Sequence, residues 1–393
     1  MRKIILYILL LFVSCTSNKD ANDDDVILLT LENAKNDDYS FLDRIEIVPL
    51  ETNDSVLIAN YDSFQYIPEL GDYLLSDNSR TVFLFSGDGA HISNSFHCIG
   101  KGPKEYIQIT NALYNPYDNR IEIYSAGNRG LIYCYDLNFN YIETLKLNCQ
   151  PKFAASVIQI VSEDTYLLEP SHINENSNYF YKKTLVENIE NKINIPDNYV
   201  AALNMQQNPY TKTATAQYYS PRYLDYYIYK FDNQLSNVYP IYKLEIENDE
   251  NIREYLNDTF GKGISNNDRK KMSNVNVIAK KVDYLLSSSY YLPINKLISD
   301  SYIYIHIVKN KKSFYYIHNR QTNENNFLTD KSMLPLSPCY QLFGNILMSI
   351  VDAYEIEKYI NEDTMMFLSE EEKEKLKNIN EDDNPVVIKY ILK

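Results

Sequence analysis

A β-hairpin of alternating aromatic and aliphatic residues recurs along this chain about every 50 residues. The segments 76-SDNSRTVFLFSGDGAHISNSF-96 and 125-SAGNRGLIYCYDLNFNYIETLKL-147 share one layout: small and polar residues with Asn and Arg, an alternating apolar run, a turn, then a second strand. Phe83 and Tyr133 are 50 positions apart. Hairpins of the same pattern follow at 178–195 and 226–246, and with Phe180 and Tyr229 as the corresponding residues the next spacings are 47 and 49. A fifth hairpin lies at 302–320, delayed by the polar, helix-prone stretch at about 247–283, which reads as an insertion.

Units of this length with about four strands each are the signature of propeller blades, because one blade is too thin to bury both faces and gains its core by stacking on its neighbours. Five units can be counted directly. A sixth is assembled from 339-CYQLFGNILMSIV-351, the C-terminal strand 386-VVIKYIL-392 and the N-terminal strand 44-RIEIVPL-50. A helix at 369–379 interrupts that unit, announced by Ser369 and Glu372 in the spacing of a capping box. Closing the last blade with a strand from the other chain end removes an exposed sheet edge. The expected fold is all-β, a six-bladed β-propeller with short helical insertions over residues 41–393. The 37 tyrosines fit it, since pairs such as Tyr315/Tyr316 place one ring on each face of a strand, mostly as packing between blades.

The N-terminus reads as an export signal. Arg2 and Lys3 precede the apolar run 4–13, too short to span a bilayer, and Ser14-Cys15 follows. A cysteine after a small residue at this point resembles a bacterial lipoprotein signal, which implies a signal peptide at 1–14, lipidation of Cys15 and an acidic, solvated tether at 15–40. Thr16 in place of an aspartate favours the outer membrane, on its surface or periplasmic side. Loss of 1–14 would take the formal charge from −15 to −17. Scattered acids without a basic stripe argue against a nucleic-acid partner. Cys98, Cys134, Cys149 and Cys339 are too widely spaced for a disulfide scaffold or a zinc pattern and read as buried thiols.

The N-x-R spacing before a hydrophobic hairpin at Asn78/Arg80, loosely kept as the adjacent pair Asn128/Arg129, resembles the NHL repeat. The stretches 48-VPLETNDSVLIA-59, 99-IGKGPKEY-106 and 382-DDNPVVIKYILK-393 resemble the six-bladed β-propeller lipoproteins of Bacteroidetes. With the hairpin spacing, that resemblance covers nearly all of the chain after the export signal.

The stretch 99-IGKGPKEYIQI-109 has the glycines and lysine of a phosphate loop, but it lies between two strand patterns and lacks both G-x-x-x-x-G-K-[ST] and a third glycine. It reads as the crossing between the first two blades, with Gly100 and Gly102 supplying positive φ, Pro103 fixing the turn, and Glu105 and Tyr106 tying the loop to a blade. Arg80, Arg129, Lys101 and Lys104 are the ligand-binding candidates, since positive charge on an anionic protein favours an anionic or sugar-acid group. For His306 and His318, a turn at 309–312 sets Tyr315 opposite His306 and Ile303 opposite His318, so the imidazoles face opposite ways and share no metal. No metal site, cofactor motif or G-x-S-x-G elbow is present in the sequence. The functional expectation is a non-catalytic, lipid-anchored binding or scaffolding protein of the outer membrane that presents a propeller face to a glycan, peptide or partner protein. The alternative is a propeller lyase or hydrolase acting on an anionic polysaccharide or lactone in the axial channel.

Overall fold

The computed structural model describes residues 26–393 except 33, 59, 126–129, 148–154, 171–178, 185–188, 195–208, 222–223, 247–250, 253, 255–282, 284, 330–335 and 337–338. The expected signal peptide, Cys15, Arg129, Cys149 and most of the insertion lie outside these residues. The chain is an all-β propeller in which strands follow one another as up-and-down sheets. The first sheet is Tyr61–Ile67, Asp72–Asp77, Val82–Phe85 and His91–Asn94. The second is Asn111–Asn115, Arg120–Ser125, Leu131–Tyr135 and Tyr141–Lys146. The third is Ala155–Ser162, Thr165–Pro170, Tyr179–Thr184 and Ile189–Asn194. The fourth contains Tyr210–Lys212, Gln217–Tyr219, Tyr227–Phe231 and Val238–Leu244, and the fifth Leu292–Ile298, Tyr302–Lys309, Lys312–Asn319 and Asn325–Leu328.

The last sheet joins both chain ends: Cys339–Phe343, Ile346–Val351 and Val386–Leu392 are completed by Leu42–Pro49, with Ile388 opposite Ile47.

Each of six apolar clusters lies between successive sheets, for example Phe64, Tyr73 and Phe83 against Val48, Met348 and Val387, or Tyr226 and Tyr242 against Ile303, Ile305 and Tyr316. Most of the largest fully buried side chains are tyrosines. A tyrosine fills the gap with a ring and pins it with a hydroxyl. Tyr226 donates across a junction to the Tyr291 carbonyl at 2.7 Å, and Tyr315 donates to the Leu336 carbonyl at 2.6 Å.

The hairpin of the fifth sheet has the expected register, with His306 opposite Tyr315 and Ile303 opposite His318. Asn310 and Lys311 turn it with φ of 51° and 61°, a two-residue turn whose twist suits paired strands.

Two expectations change. Residues 27–36, assigned to the tether, belong to the folded body: Ile27–Leu29 adds a parallel strand outside Val238–Leu244, and Lys35–Asn36 adds one outside Asn325–Leu328. The cause is the outer edges of the fourth and fifth sheets, whose unpaired backbone groups are satisfied by the incoming chain while Leu29 is buried among Tyr242, Leu244 and Ile252. The helix Glu370–Lys377 is capped by Ser369, whose hydroxyl accepts from the Glu372 N–H at 3.2 Å. The reciprocal half of the capping box is not made. Glu372 instead accepts from the Ile47 N–H at 2.5 Å, covering the outer edge of the last sheet. Among the described residues, no helix is long and apolar enough to cross a membrane.

Candidate functional site

The glycine loop is folded around its own glutamate. Gly102 N–H donates to Glu105 Oε2 at 2.8 Å, and the backbone closes through Gly100 N–H to the Tyr106 carbonyl at 3.0 Å and Tyr106 N–H to the Cys98 carbonyl at 3.0 Å. Gly100 and Gly102 are not among the residues with positive φ. Their missing side chains leave the space the Glu105 carboxylate occupies, since a Cβ at either position would displace it. Pro103 is exposed at the tip. Tyr106 is fully buried; its hydroxyl meets Ser95 Oγ at 2.5 Å and donates to the Arg80 carbonyl at 2.8 Å.

Arg80 sits in the turn between the second and third strands with φ 73°, and its guanidinium donates to the Ile107 carbonyl at 2.9 Å. Lys101 is exposed, and so is Lys104, whose ammonium lies 5.3 Å from the centre of the Tyr141 ring. In an antiparallel sheet the turn after the second strand and the crossing after the fourth lie at the same end. Arg80, Lys101 and Lys104 therefore share one face of the propeller.

A cavity opens at the other end. It measures about 470 Å³ and is lined by the ends of the first strands of all six sheets and by the turns that follow them. First strands of neighbouring sheets pack against one another along this axis. Arg80, Lys101 and Lys104 do not line it. Its walls carry Tyr66, Tyr114, Tyr117, Tyr210, Tyr340 and Phe343, the amides of Gln65, Gln159 and Gln341, and the ionic groups Glu69, Lys212 and Asp300.

A first strand is the inner edge of its sheet, so its outward N–H groups need acceptors. Neighbouring sheets supply them. Gln341 Oε1 accepts from Tyr66 N–H at 2.5 Å, Gln65 Oε1 from Tyr114 N–H at 3.3 Å and Asn111 Oδ1 from Ile158 N–H at 3.1 Å. Asp300 accepts from Ala214 N–H and Thr215 Oγ1, both at 2.8 Å. Burial pushes the Asp300 carboxyl up, but these bonds, one from Thr213 and the Arg320 charge outweigh it, and the group titrates below the usual carboxylate range. At the mouth, Tyr117 of the second sheet donates to the Val161 carbonyl of the third at 2.7 Å, and Lys212 of the fourth donates to the Tyr117 hydroxyl at 2.7 Å. One chain of contacts thus crosses three sheets. Burial raises the Tyr66 pKa, with a smaller contribution from Asp72.

The arrangement offers aromatic faces, amide donors and one ammonium that has no carboxylate partner among the described residues, a surface suited to a polar ring-shaped ligand. Among the described residues no group of three His, Cys, Asp or Glu is placed to hold a metal. His306 and His318 lie apart from the cavity: His306 meets Ser313 Oγ at 3.0 Å and His318 meets Asn325 Oδ1 at 2.7 Å.

Comparison with solved structures finds a likeness to a candidate exported protein of Bacteroides fragilis, at 16% identity, covering 94% of this chain and 99% of that one with a TM-score of 0.68. At this identity the likeness shows a shared fold alone. The chain is also similar to PorZ, a surface component of the type-IX secretion system of Porphyromonas gingivalis, at 10% identity over 75% of this chain and 30% of that one, with a TM-score of 0.37. The WD40 domain of Neurospora crassa Pan2 gives 7% identity over 75% and 73% of the two chains, also with a TM-score of 0.37. Those last two are too distant in shape to carry any argument. No curated protein matches the chain. Residues 27–390, from the strand that caps the fourth sheet to the one that closes the last, match the model of a family described as a domain of unknown function, and the protein belongs to that family, DUF4934.

Proposed function

We propose that this protein is a non-catalytic binding protein of the bacterial cell envelope that receives a glycan segment in the axial cavity. The observation that carries the reading is the cavity lining: tyrosine faces from several sheets around orienting amides, with no histidine or cysteine among the described residues that line it and with Asp300 already committed to the Ala214 N–H and the Thr215 hydroxyl. A volume of about 470 Å³ lies within the range of roughly 300–1,000 Å³ typical of small-ligand sites.

In this reading the third sheet stands as a blade between the second and the fourth, giving six blades in one ring. Tyr166 of the third sheet donates to Glu122 of the second at 2.8 Å, and Tyr219 of the fourth donates to Glu169 of the third at 3.2 Å, which supports that placement. The NHL-like spacing and the lipid anchor belong to the same proposal; Asn78/Arg80 before a hairpin supports the first and Ser14-Cys15 after the apolar run the second.

Thermal unfolding of the purified protein against neutral and acidic oligosaccharides, peptides and metal salts tests the site. A ligand at about 100 times its Kd adds about 2.7 kcal/mol. A glycan is expected to raise the Tm by several degrees in the wild type and not in Tyr66→Ala; a shift that survives Tyr66→Ala would place binding elsewhere. For the anchor, Cys15→Ala is expected to move the protein from the membrane fraction to the soluble one, and continued membrane association through a high-salt wash would contradict lipidation.

A further inference from the structure

The cavity lining holds several hydrogen-bond donors with no protein partner among the described residues. Gln65 and Gln341 each use the side-chain oxygen on the backbone of the next sheet, so the amide orientation is set by that bond. Their NH₂ groups have no protein partner among the described residues, which leaves two donors on each. Lys212 donates to the Tyr117 hydroxyl, with its ammonium 5.1 Å from the centre of that ring, and has no carboxylate in ion-pair range among the described residues. An ammonium carries three donors, so two remain. On the acceptor side, Asp300 is committed to Ala214 and Thr215, and Glu69 stands on the first sheet while Lys212 stands on the fourth.

A ligand that satisfies this lining must present several oxygen acceptors, one of them charged, on a body that can lie against tyrosine rings. We propose that the ligand is a carboxylated sugar of the uronic acid type, with Lys212 as the counter-ion of its carboxylate and the Gln65 and Gln341 amides donating to its ring oxygens. A carboxylate suits the site better than a phosphate. It brings a single negative charge into a cavity that also holds Glu69, in a protein of formal charge −15. The Lys212 ammonium is held by a phenol and, among the described residues, by no carboxylate.

The inference rests on the axial cavity being the glycan site, so the experiment separates the two. Calorimetric titration of the full chain uses tri- and tetra-uronates of the galacturonic, glucuronic and mannuronic series alongside their methyl esters, which keep the shape and remove the charge. At least one acid is expected to bind about tenfold tighter than its ester, the difference a charge-assisted hydrogen bond supplies. In Lys212→Met the ratio of acid to ester affinity is expected to fall to within about twofold of one, whatever the absolute ester affinity, and Lys212→Arg to retain the preference. Equal binding of acid and ester would overturn the carboxylate inference and leave glycan binding in place. An acid preference untouched in Lys212→Met would overturn the role of Lys212. No binding by any acid or ester would overturn the inference together with the glycan reading on which it rests.

Discussion

Glu122→Ala is expected to destabilise the protein by about 3 kcal/mol, at the lower end of the cost of breaking a buried ion pair. Glu122 is 3% exposed and gathers four donors: Arg120 Nε and Nη2, both at 2.8 Å, Asn115 Nδ2 at 2.7 Å and the Tyr166 hydroxyl at 2.8 Å. Removing it strands the Arg120 guanidinium, whose side chain is only 10% exposed, and cuts a bond between the second and third sheets. Asp118 at 3.0 Å and Glu143 at 2.9 Å keep part of the charge compensated, which is why the upper end of the range is not reached. Glu143→Ala is the matched control: its side chain is half exposed, and a solvated pair is worth less than about 1 kcal/mol. Denaturant midpoints for the two variants measure the difference. A loss below about 1 kcal/mol in Glu122→Ala would mean that this cluster does not hold the two sheets together.

The second large effect is a loss of stability in acid from His306. The imidazole is 7% exposed and stacked on Tyr315 with ring centres 5.0 Å apart, and burial pushes its pKa down to about 4. In the unfolded chain the same group titrates near the usual value of about 6.5. Between those values the unfolded state binds a proton that the folded state refuses, so stability is complete above pH 6.5, falls as the pH drops toward 4 and levels off below it. The shift corresponds to about 3 kcal/mol. His306→Phe keeps a ring against Tyr315 and is expected to lose that much less stability than the wild type between pH 7 and pH 4. Parallel pH profiles would contradict a neutral, buried His306. Lys296, whose pKa burial lowers to about 8, acts in a separate window: its effect develops between pH 10.5 and 8 and is flat below.

Features set by neighbours in the chain were legible before any coordinates. The turn at Asn310–Lys311 fixes the register of a whole hairpin, and the largely apolar runs at 44–50 and 386–392 mark two strands that pair. The serine cap at 369 also follows from local spacing. The outer strand at Ile27–Leu29 was hidden by the acidic run before it, whose solvated character was extended too far along the chain.

The cavity is the opposite case. Tyr66 and Gln341 touch across 275 positions, Lys212 and Tyr117 across 95, and no spacing rule connects such pairs. Local motifs drew the ligand candidates to Arg80, Lys101 and Lys104 beside the glycine loop. Those residues lie on the other face, where Arg80 has a structural partner in the Ile107 carbonyl. The signal that was available is weaker: a Gln or Asn on several first strands, each placed to serve the backbone of the next sheet.

The absence of tryptophan from the chain makes the binding face directly measurable. Phe343→Trp places a single fluorophore at the cavity mouth beside Tyr66, where the present ring is 47% exposed. Phe96→Trp places one on the opposite face near the glycine loop, where the ring is 75% exposed. Titrated with the oligo-uronates, the tryptophan at 343 is expected to give a saturable change in emission while the one at 96 stays silent. A response at 96 with none at 343 would put the binding surface on the face of Arg80, Lys101 and Lys104 and contradict the axial site.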